Sequence, residues 1–466
     1  MFHAVLHKLG LSIDLDRQER NQIFWMAAAF FCVIGSYTVL KEMKDVLFAQ
    51  IVGPKYLYQV KFISMFLLLP ATLLYAKLVD YMSRFWLLVF YTMLYGIGGI
   101  AIAYLLSDPV VGIANTVSSP DRYFGWFIYL FYEGLVPFVI SVFWSFSNSI
   151  TKPETAKKGY ALIVSGSKLG GMFTSGIACI LFAPSMTLGT CPWSSVLIHQ
   201  ILLIGASILL TISPAVIYFL MQTSTEKNLH GYEASYDFEK QQEKKGNSET
   251  GMLSGLFLIL KHPYILGIFG MMFFYELVNV VLGIQRTLIV QAGAKDAAAF
   301  TGEMFRQRFM MQGAGFLVSF FGTRVLIKRL GERVSLVLIP IITGCLLAYF
   351  MIAYNEQAVV FVFMVLGMLN YAFGSPIREA LYIPTVKDVR FKSKAWIESF
   401  GQRFAKACGS GIIGTIQGIA AIGTPLYLGL FSSVFAGIIT LWIGVAWLLG
   451  RKYNSLVKKG QAIGAE

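Results

Sequence analysis

The amino-acid sequence predicts an all-α integral membrane protein with about twelve transmembrane helices. Three observations carry that prediction: the apolar share of the chain, its long uncharged runs, and the way basic residues alternate between successive loops. Hydrophobic residues make up 56% of the 466 and charged residues only 14%. A soluble domain holds about 45–50% apolar and about 25% charged residues. A helix needs roughly 20 mainly apolar residues to cross a bilayer. Residues 201–220 and 427–449 satisfy this without an internal charge.

Taken in order, spans are expected near 22–41, 57–79, 85–106, 123–150, 160–183 and 196–221, then near 263–285, 301–323, 334–353, 358–385, 395–422 and 425–449. The N-terminus, the even-numbered loops and the C-terminus together carry 25 Lys and Arg, whereas the odd-numbered loops carry six. Cytoplasmic loops are the basic ones, so both termini are expected in the cytoplasm and the number of spans is even. The net charge of +13 has the same origin and does not point to nucleic acid as a partner. The first 21 residues carry Lys8, Asp14, Asp16, Arg17, Glu19 and Arg20 and lack the apolar core of a secretory signal.

One long polar stretch, residues 223–250, divides the spans six and six and reads as a cytoplasmic linker. The expected organisation is therefore an N-terminal six-helix bundle over 1–222, a linker over 223–256 and a C-terminal six-helix bundle over 257–466. The halves look related. Lys158 and Lys394, Gly166 and Gly401, and Lys168 and Arg403 keep an offset of 235–236 residues, and short charged turns follow both the second and the eighth span. A 6+6 pseudo-repeat of this kind is the arrangement of major-facilitator-like carriers, which hold their substrate near the midplane between the halves.

An ionisable group in a span is expensive unless it is paired or wetted, and it is a functional candidate by default. The first span ends in Lys41, Glu42, Lys44 and Asp45. Glu133 lies in the fourth, Lys168 in the fifth, Glu276 and Arg286 in the seventh, and Arg306 and Arg308 in the eighth. Arg378 and Glu379 lie in the tenth, and Glu398, Arg403 and Lys406 in the eleventh. Basic members outnumber acidic ones, which suits a multiply charged anion such as a phosphate: Arg offers a planar fork and Lys a mobile point charge. Other readings stand beside this one. Lys41, Lys44 and Arg286 are placed where side chains snorkel to an interface, and Arg378–Glu379 and Glu398–Arg403 can be structural ion pairs. Glu133 has no cation near it in sequence and needs a remote partner or a proton. Trp144, Tyr371, Phe373, Tyr382 and Trp396 share the charged helices and could stack on a nucleobase, or simply pack. Gly166, Gly170 and Gly171 form a phosphate-friendly run that serves equally as close helix packing.

Much is missing. There is no GxxxxGK[ST] phosphate-binding loop. The five cysteines and five histidines are scattered, so neither a disulfide framework nor a metal site is expected. No nucleophile–base set is visible. An enzyme is not expected, nor any cofactor, and the driving energy must come from gradients or exchange.

Several segments resemble the ADP/ATP translocase (nucleotide transporter) family of plastids and obligate intracellular bacteria. Residues 37–48, with Lys41, Lys44 and Asp45, resemble its "LRDTKD" first-span motif. Tyr132, Glu133 and Gly134, followed by Trp144 and Asn148, resemble its "ELW…FWxFAN" fourth span. Arg378, Glu379, Tyr382 and Pro384, then Lys392 and Lys394, then Gly401, Arg403 and Lys406, resemble "REMxYIP…KGKA…GxRxGKSGG". The likeness runs through nearly the whole chain in span order. It implies a multi-pass protein of a bacterial cytoplasmic membrane that takes up ATP in exchange for ADP, the energy parasitism of an intracellular bacterium, and that works as a monomer with a nucleotide and the lipid bilayer as its partners.

The resemblance marks Lys44, Glu133 and Lys406 as the charges required for transport. It adds Lys41, Arg378, Arg403, Trp144 and Asn148 to the expected substrate site, with Glu133, Glu276 and Glu379 for coupling or charge balance. The seventh span departs: the family's "NLVEVxWK" is here Glu276-Leu-Val-Asn279-Val-Val-Leu-Gly283, and Lys41-Glu42 replaces "RD". Those departures leave room for proton-coupled nucleotide symport. A carrier of another organic phosphate anion and a non-transporting membrane sensor are the remaining alternatives.

Overall fold

The computed structural model describes residues 16–151, 153–187, 193–223, 254–321, 323–370, 374, 377, 378, 381, 382, 384, 385, 393, 394, 396–459 and 463. Everything built from these residues is helical apart from connecting turns and one isolated bridge between Thr385 and Ile463. The expected linker falls outside them except at its two ends.

The first helix, α1 (Arg17–Ile51), opens on a capping box in which the Asp16 side chain and Glu19 satisfy each other's backbone N–H groups. It runs ten residues past the expected end at 41. The four charges at 41–45 do not stop it, because they are partnered in the interior and are followed by the buried run Val46, Leu47, Phe48 and Ala49. Gly53, at φ 115°, then turns the chain into α2 (Leu57–Tyr81) and α3 (Arg84–Leu105). The next connection is tied by Arg122, which donates to the backbone oxygens of Val111, Gly112, Asn115 and Val117. In the same loop Asp108 accepts the N–H groups of Val110 and Val111, which holds its carboxyl below the usual range.

The fourth span is not one regular helix. α4 (Tyr123–Glu133) gives way to a π-turn at Val136–Ile140 before α5 (Ser141–Ile150). Pro137 lacks the N–H that a regular helix would use there. Next come α6 (Pro153–Thr187) and α7 (Ser195–Thr223), then α8 (Ser254–Lys261), α9 (Pro263–Gly293), α10 (Ala297–Phe321), α11 (Thr323–Ala353) and α12 (Glu356–Leu369). A π-turn at Ile397–Gly401 leads into α13 (Gln402–Ile419), and α14 (Pro425–Lys459) closes the chain.

Eight of the described helical stretches are long and apolar enough to cross a membrane. The other four expected spans fall on α2, α10, α12 and α13. α10 carries Glu303, Arg306 and Arg308, and α12 has only 14 residues. Large apolar side chains such as Phe66, Ile97, Ile180 and Leu441 lie on the outer surface, where lipid rather than water is the fitting solvent. Several long helices and this apolar exterior make the chain a multi-pass membrane protein.

Within residues 17–223, α1 packs on α6 and α7, and α3 on α7; within 254–459, α11 packs on α14, and α9 on α13 and α14. The two sets meet chiefly where α6 lies along α10 and α2 along α13. At one place the seam between them is polar. Gln50 Nε2 donates to Ala297 O and Thr301 Oγ1, each at 3.1 Å, and His199 Nε2 lies 2.8 Å from the same hydroxyl. Gln291 Nε2 donates to Ala49 O at 3.2 Å.

The glycine run on α6 is a packing device. A Cβ on Gly166 would sit 3.2 Å from that of Ala27, and one on Gly170 would strike the backbone of Phe31. Thr174 Oγ1 donates to Gly35 O at 2.9 Å across the same contact.

Candidate functional site

The charged residues of α1, α4 and α13 meet where the two sets of helices face one another. Glu133 stands at the last turn of α4, just before the π-turn. Its carboxylate accepts from Lys44 Nζ of α1 and lies 3.4 Å from Lys406 Nζ of α13. Lys44 is buried, and Lys406 is about one-third exposed. The remote partner that Glu133 requires is thus supplied twice, from helices 89 and 273 residues away. Neither Lys44 nor Arg286 snorkels: both lie in the interior, at 7% and 3% exposure.

Tyr129, one turn before Glu133, is fully buried and serves two ammonium groups at once. Lys44 Nζ is 4.3 Å and Lys61 Nζ 5.5 Å from its ring centroid. Lys61 is also 3.5 Å from Asp45.

These residues line two adjoining regions of one cavity, which share Lys41, Lys44, Glu133 and Lys406. The first region adds Lys61, Asn279, Arg286 and Arg308, and the second adds Glu398, Gln402 and Arg403. Lys41 Nζ lies 5.6 Å from the Tyr37 ring. Arg403 Nη1 donates to Thr72 Oγ1 at 3.0 Å, which ties α13 to α2. Glu398 is paired not with Arg403 but with Lys394, at 3.8 Å. An arrangement with fixed cations and two movable ammonium groups around a single carboxylate can exchange that carboxylate for a ligand anion.

Other expected site residues are elsewhere. Arg378 lines a separate, largely apolar pocket with Leu336, Ile339 and Trp442 and lies 5.9 Å from the Tyr275 ring. Trp144 packs against Phe30 and Tyr160 at 5.0 and 5.3 Å and lines neither cavity region. Glu276 is half-buried and has no ion pair among the described residues, whereas Asn279, one turn on, does line the cavity. The Asn148 side chain and Glu379 lie outside the described residues.

Sequence reasoning missed Lys61 and Tyr129. The signals were present: a lysine in the first turns of an apolar span, and an aromatic four residues before the most conspicuous acid. It also left Glu42 without a role. Glu42 pairs with Arg308 and Arg286 at 1% exposure.

The site is a cation-lined cavity inside a multi-helix membrane fold, and that fold is similar to those of solved membrane transporters. Solved structures agree on the fold. The nucleoside transporter NupG superposes with a TM-score of 0.53 at 14% identity, over 95% of this chain and all of that one. A bacterial homologue of the human lysosomal transporter Spinster gives 0.54 at 10% identity, over 95% and 99%. The chain belongs to the TLC ATP/ADP transporter family, which residues 122–453 match. Its relatives include ADP,ATP carrier protein 1 of Rickettsia conorii, 23% identical over 96% of each chain. ADP,ATP carrier protein 3 of Rickettsia typhi is 25% identical over 95% of this chain and 97% of its own. ADP,ATP carrier protein 1 of Chlamydia trachomatis is 24% identical over 94% and 90%.

Proposed function

We infer that this protein transports nucleotides across a membrane, and that its reaction is the exchange of ATP for ADP by alternating access. Family membership and the ADP,ATP carrier names of its relatives support nucleotides as the class of substrate. The observation that carries the mechanism is Glu133 held between Lys44 of one helix set and Lys406 of the other. A substrate polyphosphate takes both ammonium groups in place of that carboxylate and so links the two sets during transport. In the empty carrier Lys44 and Lys406 share Glu133, and its reorientation is slow because breaking a buried pair leaves charges uncompensated. Exchange is the kinetic result.

On this reading the units are residues 1–222 and 257–466, joined by a cytoplasmic linker over 223–256, and they rock about the cavity. Both termini are cytoplasmic, the membrane is a bacterial inner membrane, and one chain suffices. Lys41 and Arg403 guide the phosphates at the edge of the cavity. Proton-coupled symport is the second reading. It is favoured by Glu276, an acid with no ion pair among the described residues, and by Asn279 in the cavity wall.

The test is uptake of labelled ATP by intact bacterial cells that lack nucleotide uptake of their own, followed by a chase. Label released only when ATP or ADP is added outside establishes exchange. Label retained through that chase, with uptake that rises as external pH falls, replaces exchange by symport. Absence of uptake in cells carrying the inserted protein overturns the nucleotide reading.

A further inference from the structure

The lining of the cavity divides by chemistry. In its first region Lys41, Lys44 and Asp45 of α1, Lys61 of α2, Glu133 of α4 and Lys406 of α13 form an ionic wall. Most of the remaining lining comes from α9, α10 and α12. The two arginines there are already engaged: Arg286 and Arg308 both donate to Glu42, and Arg286 donates further to Gln307 Oε1 and Met304 O. The other residues on that side carry no charge. Among them Asn279 of α9 is half-buried, and its carboxamide makes no hydrogen bond to any described residue. Tyr275, Asn279 and Gly283 follow at four-residue intervals and form one stripe along α9, and all three line the cavity. Gly283 leaves a gap at the end of the stripe, where an added Cβ would meet no atom within 4 Å. Resting on the nucleotide reading above, we propose that Asn279 reads the base of the transported nucleotide: the purine ring of adenine lies along α9 in the gap left by Gly283, and the Asn279 carboxamide accepts from its 6-amino group and donates to N7.

Hydrogen-bond pattern makes the first argument. A carboxamide presents an acceptor and a donor side by side, the complement of the adenine edge that carries the 6-amino group and N7. Guanine presents two acceptors, O6 and N7, on the same edge, and one of them would face Asn279 Oδ1. A polar group left unpaired in a closed site costs free energy, so a site that pairs with adenine discriminates against guanine. The ammonium groups of the ionic wall match phosphates and offer nothing that tells one base from another.

Space makes the second. A flat ring needs a stretch of wall from which no side chain projects, and a glycine provides it by letting a ligand approach the backbone. The Gly283 carbonyl accepts the Thr287 hydroxyl at 3.0 Å, so that hydroxyl is taken up within the helix and does not compete with Asn279 for the ligand. Val280 and Met311, at 6% and 4% exposure, line the same region and give it an apolar border. A nucleotide has the same division as the cavity, with charge at one end and an uncharged ring with a polar edge at the other. Lysines hold the ligand on this account, and Asn279 selects it.

The experiment measures binding of ATP, GTP and inorganic tripolyphosphate to the purified full-length protein in detergent by calorimetry. Tripolyphosphate carries the phosphate chain without the base. The wild type binds ATP about tenfold more tightly than GTP, the usual worth of a two-bond carboxamide–adenine pair. Asn279→Ala lowers ATP affinity by about tenfold, leaves tripolyphosphate affinity within about twofold and erases the preference for ATP. Asn279→Leu, which keeps the volume of the side chain, does the same. Gly283→Val fills the gap and weakens ATP and GTP together while sparing tripolyphosphate. Retained tripolyphosphate binding shows that each variant is folded. A wild type without preference between ATP and GTP, an unchanged ATP affinity in both Asn279 variants, or a tripolyphosphate loss as large as the ATP loss in both overturns the assignment of Asn279 while nucleotide transport stands. A wild type that binds neither ATP nor GTP overturns the nucleotide reading, and the role of Asn279 with it.

Discussion

Replacing Glu133 with Gln removes one negative charge from the cavity and almost no volume. In the native protein the carboxylate is 12% exposed and faces Lys44, 8% exposed, and Lys406, 35% exposed. Removing one partner of a buried ion pair costs about 3–5 kcal/mol, but the exposure of Lys406 lets water screen its share. The expected destabilisation is therefore about 2–3 kcal/mol. A bound polyphosphate returns negative charge to the same two ammonium groups. At a ligand concentration of about 100 times Kd, linkage contributes about 2.7 kcal/mol, enough to offset the loss. The assay is thermal unfolding of the detergent-purified protein with and without ATP. The variant should melt below the wild type when empty and close most of the gap when ATP is saturating. Its nucleotide-dependent shift should be the larger of the two, since phosphate no longer competes with a resident carboxylate. Equal melting temperatures without nucleotide, or a smaller shift in the variant, would refute the idea that Glu133 stands in for the substrate.

Lys406→Ala should abolish ATP uptake by intact cells while membrane fractions still contain the protein in wild-type amount; uptake at the wild-type rate would remove Lys406 from the site. Arg378→Ala should keep ATP affinity within about twofold of wild type, as calorimetry would report, because Arg378 lines a different pocket. Gly170→Val should break the close approach of α6 to α1, where an added Cβ meets the Phe31 backbone, and reduce the yield of monodisperse protein in size-exclusion chromatography.

The helices were legible because bilayer thickness imposes one length and one polarity on every span, a demand that local sequence satisfies by itself. Their ends were less so. α1 continues to Ile51 rather than 41, and α9 to Gly293 rather than 285. A charge read locally argues for an interface, and only remote partners such as Arg308 for Glu42 show that it is interior. The same limit governs the site. Lys44, Glu133 and Lys406 stand among many expensive charges and were marked out by the family resemblance, yet which charges meet depends on contacts across 89 and 273 residues. Trp144 shows the converse, for its motif is familiar while its ring packs among Phe30, Phe143 and Tyr160.

The polar part of the seam, made by Gln50, Thr301, His199, Gln291 and backbone carbonyls, has a consequence for the energetics of motion. Hydrogen bonds exchange with water at little net change in free energy, but parting them also uncovers Phe182 of α6 and Phe305 of α10, fully buried rings stacked 6.5 Å apart across the same seam. Heat capacity rises with newly exposed apolar area and falls with polar area. Separation of the two helix sets at this place should thus carry a heat-capacity change set by those rings, and the balance between closed and parted forms should follow a curved van't Hoff line.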